Sequence, residues 1–238
     1  MLKNKKVVII GGSSGIGLET ARQAAAEGAE VIIASRTEEK LRTAVEALGV
    51  DKAAAFQLDT TDEERVRSFF GTAGPIDHLV ITAAETAGGP FLSTDSAQAR
   101  QLFDNKFWGQ YYAAKYGAPR ISPQGSITLF SGIVAYKAMA GSAALGAVNA
   151  AVAALGRTLA LELAPVRVNV VSPGIIDTPS RSKMAPEARQ QLYASLAGKL
   201  PAQRVGTADD VARTVLYLMT NSFVTGTVAH VEGGHLLM

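Results

Sequence analysis

The chain has no cysteine, which excludes disulfides and thiolate metal sites. Histidine is nearly as scarce: His78, His230 and His235 are scattered without ligand spacing, so no metal is expected. Neither sign of charge dominates, with 23 Lys and Arg against 21 Asp and Glu. The basic residues are dispersed, which argues against a nucleic-acid face. A clean hydrophobic run of spanning length is also absent. The longest apolar stretch, 143–164, is interrupted by Asn149, Arg157 and Glu162, so no membrane span is expected. The basic start Lys3-Asn4-Lys5-Lys6 precedes an apolar run too short for the core of a signal peptide. Internal repeats, low-complexity tracts and linkers are missing too. Together these absences predict a soluble, cytoplasmic protein. With 238 residues, 47% of them apolar, the chain can bury a large core as one domain over 1–238.

The richest stretch is Val7-Val8-Ile9-Ile10-Gly11-Gly12-Ser13-Ser14-Gly15-Ile16-Gly17. An apolar run bounded by glycine reads as a buried parallel strand, and helix formers follow from Leu18 to Glu27. Strand, glycine loop and helix together make a phosphate cradle. Gly11 permits the sharp exit from the strand, Gly15 leaves room for a pyrophosphate, and Gly17 lets the helix pack closely. Free N–H groups at the helix start attract the anion, and Ser13 and Ser14 add hydroxyl donors.

Strands and helices then alternate. Strands are expected at Glu30–Ala34, Ala53–Leu58, Ile76–Thr82, Ser126–Ser131, Arg167–Val171 and Thr227–Val231. Helices are expected at Thr37–Leu48, after a capping box at Thr61-Asp62-Glu63-Glu64, at Ser96–Tyr116, at Ala143–Ala164, and from a second box at Thr207-Ala208-Asp209-Asp210 to Met219. The fold class is therefore α/β, a Rossmann-type three-layer α/β/α sandwich on a seven-stranded, parallel, doubly wound sheet. The irregular piece from Ser172 to Pro186, with a short helix at Glu187–Leu196, provides a lid over roughly 172–200 at the ligand crevice.

Dinucleotide folds choose their cofactor at the end of the second strand, which here reads Ala34-Ser35-Arg36-Thr37. No acid is present to hold a ribose 2′-hydroxyl. Arg36 can fork onto a 2′-phosphate and Ser35 can donate to it, so NADP(H) is expected over NAD(H). Asp59 ends the third strand, where it can accept from an adenine amino group or serve the start of the next helix.

The chain resembles the short-chain dehydrogenase/reductase family along its whole length. The resemblance is carried by the glycine stretch 11–17, Leu58-Asp59, Asn105, the run Asn169-Val170-Val171-Ser172-Pro173-Gly174-Ile175-Ile176-Asp177-Thr178, and the ending Val224-Thr225-Gly226 with Glu232-Gly233-Gly234. It implies cofactor contacts from Ile16, Leu58, Asp59, Thr60, Ala83 and Ala84, and a nicotinamide carboxamide near Pro173, Gly174, Ile176 and Thr178. It also implies a homo-oligomer, tetramer or dimer, built through the two long helices and the last strand.

The catalytic positions depart from the family. A family member uses Tyr to pass a proton, Lys four residues later to hold the ribose and lower the Tyr pKa, and Ser thirteen residues before the Tyr to polarise the substrate oxygen. Those positions are Gly132, Leu145 and Asn149 here, and none of them can do its job. Moving the register to Ser131 puts Ala144 at the Tyr position. The candidates that remain are Ser131, Tyr136 in the loop after the fifth strand, Glu85 near the same crevice, and Asn105, which can instead bond the helix backbone at a kink. Tyr111-Tyr112-Ala113-Ala114-Lys115 matches Tyr-x-x-x-Lys but falls on the helix before the fifth strand. Two functions follow. One is an NADP(H)-dependent oxidoreductase acting by an atypical site on a small apolar carbonyl, imine or enone. The other is a catalytically silent NADP-binding sensor or a non-catalytic subunit paired with an active relative.

Overall fold

The computed structural model describes residues 1–49, 53–82, 88–182 and 184–238. Seven parallel strands form its sheet: β1 (Lys6–Ile10), β2 (Glu30–Ser35), β3 (Ala53–Gln57), β4 (Ile76–Ile81), β5 (Ile121–Phe130), β6 (Arg167–Pro173) and, after two short strands, β9 (Val228–Val231). Their order is β3-β2-β1-β4-β5-β6-β9, the doubly wound arrangement expected from the alternation.

Alternation along each strand divides the core in two. Val8 and Ile10 face a layer holding α3 (Glu63–Thr72), α4 (Ser96–Phe103), α5 (Gly109–Gly117) and α6 (Ala143–Glu162). Val7 and Ile9 face α1 (Gly15–Ala26), α2 (Glu38–Leu48) and α8 (Ala208–Thr220). The chain leaves β1 for β2 on one side and β4 lies on the other, so the strand order reverses at β1, the point where a doubly wound sheet places its ligand crevice at the C-terminal rim. By length and composition α6 could cross a membrane. Here its Val148, Val152, Gly156 and Ala160 row is buried, and the helix packs on β5 and β6.

Four local expectations are corrected. The helix expected over Ser96–Tyr116 is broken by a π-turn, Asp104–Trp108, between α4 and α5. The widened turn lets Gly109 press on Thr60, whose Oγ1 would lie 2.7 Å from a Cβ at that position. β5 begins at Ile121 rather than Ser126, because Ser122-Pro123-Gln124-Gly125 bulges out between the pairs Ile76↔Ile121 and His78↔Ser126. The cap of α3 is Asp62, which accepts from Arg65 N–H at 3.1 Å, while Thr61 donates to Asp59 Oδ1 at 2.8 Å. Finally, β7 (Ile176–Asp177) and β8 (Gly206–Thr207) pair in a second sheet too short to leave a sequence pattern. The Thr207–Asp210 capping box is present in full.

Candidate active site

Gly11 leaves β1 at φ 87° with its N–H on Ala34 O, and Gly15 opens α1 at φ 53°, both in the left-handed region that favours glycine. A Cβ at Gly17 would overlap Gly11 O and come within 2.7 Å of Thr82 Oγ1, so only glycine allows α1 to sit this close to the ends of β1 and β4. Ser14 precedes the helix without capping it through its side chain, and Thr178 lies against Gly15, where a Cβ would meet it at 3.5 Å. The segment after β7 thus meets the glycine loop at Gly15. Ile16 and Ser13 are half-buried beside it.

At the end of β2, Ser35 Oγ is buried and has no hydrogen-bond partner among the described residues, beside the exposed Arg36. A buried hydroxyl without a partner needs an explanation, and a ligand oxygen supplies one. Leu58 is buried with its N–H on Ser35 O. Asp59 accepts from Thr61, and Thr60 is buried against Gly109. Pro173 ends β6, Gly174 donates to Val231 O, Ile176 is buried in β7, and Thr178 Oγ1 is 2.8 Å from Ser180 Oγ. The glycine loop, the partnerless hydroxyl and the adjacent guanidinium together fit a phosphorylated dinucleotide. Ala83, Ala84 and Glu85 lie outside the described residues.

The C-terminal end of β5 is built from α5. Gln110, fully buried, takes Phe130 N–H at 2.7 Å on Oε1 and gives Nε2 to Phe130 O at 3.0 Å. That fixes Ser131, whose Oγ donates to Asn149 O at 2.8 Å within the α6 packing. Asn149 is buried and its Oδ1 has no partner among the described residues; a Cβ on Gly132 would come within 2.9 Å of its Nδ2. Leu145, half-buried in the first turn of α6, offers no polar atom. Tyr136 is exposed and meets His230 edge-on with centroids 4.6 Å apart. Asn105 lies in the π-turn, half-buried, while the neighbouring Lys106 turns inward and donates to Ser131 O at 3.0 Å. Burial pushes the Lys106 ammonium down to about 8. Tyr111 and Lys115 line a groove between α5 and α6, where Lys115 pairs with Glu63 at 3.1 Å.

Similarity to known proteins supplies the remaining observation. A family model described as enoyl-(acyl carrier protein) reductase matches residues 11–235. The short-chain dehydrogenase/reductase ATR9 of Stachybotrys chlorohalonatus is 31% identical over 258 residues, covering 99% of this chain and 98% of that protein. The chain belongs to the short-chain dehydrogenase/reductase family. A solved small-chain dehydrogenase in complex with NADPH is 38% identical, with a TM-score of 0.86 over 99% of this chain and 100% of its own. ElxO with NADP bound is 29% identical, with a TM-score of 0.90 over 99% and 100%.

Within this dehydrogenase/reductase fold, Lys106 and Gln110 were missed by sequence reasoning. A signal for both exists: Leu102, Lys106, Gly109–Gln110, Ala113 and Gly117 recur at helical spacing and share the buried face.

Proposed function

We propose that this chain is an NADP(H)-dependent oxidoreductase whose acceptor is a small apolar carbonyl, imine or enone. The observation that carries the reading is the partnerless buried Ser35 hydroxyl beside Arg36, opposite a glycine loop that tolerates no side chain at Gly17. The NADPH-bound relative with a TM-score of 0.86 supports it. In this reading the N–H groups at the start of α1, with Ser13, Ser14, Gly15 and Ile16, hold the pyrophosphate. Ser35 and Arg36 hold the 2′-phosphate. Leu58, Asp59 and Thr60 border the adenine. Ala83, Ala84, Pro173, Gly174, Ile176 and Thr178 border the nicotinamide, and residues 172–200 close over it. The bound cofactor supplies or accepts a hydride. The protein positions it against the acceptor and excludes water, which contributes several kcal/mol even without a proton donor.

Asn149 and Leu145 favour a second reading, a silent NADP-binding sensor or subunit, because neither can move a proton and Ser131 Oγ is committed to Asn149 O. The groove of about 600 Å³ between α5 and α6, lined by Tyr111, Leu155 and Leu159, supports assembly with further copies or with an active relative.

Two measurements test the first reading. NADPH should bind more tightly than NADH, and Arg36→Ala should weaken NADPH roughly 10- to 100-fold, the loss of charge-assisted hydrogen bonds. NADPH consumption should then be followed over ketones, imines and enones for the natural chain and for Gly132→Ser/Leu145→Tyr/Asn149→Lys. Turnover by the natural chain supports the oxidoreductase; turnover by the triple variant alone supports the silent reading.

A further inference from the structure

Two Lys or Arg side chains are buried among the described residues, Arg167 and Lys106. Arg167 is satisfied: its guanidinium donates to Leu218 O and Met219 O at 2.6 and 2.7 Å, and to Val224 O at 3.2 Å. Lys106 is not. Its Nζ has three N–H donors, and among the described residues it makes one hydrogen bond, to Ser131 O, and no carboxylate lies within ion-pair distance. A buried ammonium with one neutral acceptor is costly, and a methionine would fill the same space without that cost.

Its place is as informative as its environment. Ser131 directly follows β5 and donates its N–H to Val171 O, so Lys106 Nζ lies at the C-terminal rim, level with the end of β6. Next to Ser131 is Gly132, and beyond it Asn149 with its buried, partnerless Oδ1. A surplus donor and a surplus acceptor are thus gathered around one buried backbone segment at the C-terminal end of β5. Lys106 points inward from the π-turn, on the buried row of Leu102 and Gln110, while Asp104 and Trp108 stay exposed.

We propose that Lys106 is the acid–base residue of this site. The proposal rests on the oxidoreductase reading. In reduction, the carbonyl or imine carbon takes the hydride supplied by NADPH while the C=O or C=N π pair moves onto the heteroatom. That atom takes a proton from Lys106 Nζ, giving alcohol or amine and NADP⁺. The neutral Lys106 amine regains its proton from water. Oxidation runs the same steps backwards.

Burial brings the ammonium down to about 8, so at neutral pH it is mostly charged and gives up its proton more readily than a surface lysine. The charged and titratable groups on the packed elements are Arg100 on α4, Asp104 in the π-turn, Tyr111, Tyr112, Lys115 and Tyr116 on α5, and Arg157 and Glu162 on α6. None of them shifts Lys106; burial alone does.

The test begins without cofactor. In protein labelled with ¹³C at lysine Cε, the resonance that disappears in Lys106→Met should titrate near pH 8, below the bulk lysines. Titration with the bulk overturns the proposal. Next, with an acceptor the natural chain reduces, its rate should fall above pH 8. Lys106→Met should lose about 100- to 10,000-fold together with that limb. Lys106→Arg keeps the charge and the bond to Ser131 O but cannot release a proton, and should lose the limb too. A merely structural lysine would leave the limb in place in both variants. An active chain whose rate and pH profile survive Lys106→Met overturns this proposal alone. A chain that binds NADPH and reduces nothing, where the triple variant does, overturns it together with the oxidoreductase reading.

Discussion

His78 lies on β4 with Nδ1 2.9 Å from Ser126 Oγ on the neighbouring β5, and burial pushes its imidazole down to about 4 from an ordinary value of 6.5. The folded chain then binds fewer protons than the unfolded chain across that interval. Stability is lost as pH falls from 6.5 towards 4, by up to about 3 kcal/mol. His78→Gln should flatten the acid limb of the urea midpoint plotted against pH; an unchanged limb would assign acid sensitivity elsewhere. Lys106 follows the same rule at the alkaline end. Its lowered value means that stability rises as pH goes from about 8 to 10.5, again by about 3 kcal/mol. Lys106→Met should therefore be more stable than the natural chain at pH 7, with the advantage closing as pH approaches 10 in urea melts. Of these residues the sequence showed only the types. Arg36 was legible because its place after β2 has a chemical meaning whatever surrounds it. Lys106 was not read that way, because a lysine is taken as solvated even when, as here, it falls at helical spacing on the buried row of Leu102 and Gln110.

At the scale of elements, the end of β5 depends on α5. Gln110 satisfies both the N–H and the carbonyl of Phe130 in the interior. Gln110→Leu leaves two buried backbone groups unpaired and should cost about 2–4 kcal/mol by chemical denaturation. It should also loosen Ser131 and with it the Lys106 contact, so the Lys106 titration should move back towards that of a solvated lysine. The strands were legible because β1 and β2 carry unbroken apolar runs and β4 and β6 hold Leu79-Val80-Ile81 and Val170-Val171, all buried, and the Thr207–Asp210 box because its two bonds need only local sequence. The early start of β5 was hidden by Pro123 and Gly125, which signal a turn but here form a bulge, and the two-residue β7 and β8 are below the length that any periodicity can mark.

Over the whole molecule, the sheet order and the two helix layers follow from alternation and patterning, but how copies assemble depends on surfaces. The face of α6 that carries Leu155 and Leu159 borders the groove beside Tyr111. If copies join there, Leu159→Arg should convert the assembly to monomers in sedimentation velocity while leaving the circular dichroism spectrum unchanged; an unaltered assembly would place the interface elsewhere. An oxidoreductase must pass hydride through this site. Mixing the natural chain with NADPH deuterated at nicotinamide C4 on each face in turn, together with a panel of ketones, imines and enones, and weighing the products follows that transfer. A product one mass unit heavier is expected from one of the two labelled forms. NADPH binding without label in any product, on a panel where the Gly132→Ser/Leu145→Tyr/Asn149→Lys variant transfers it, would rule out turnover by the natural chain.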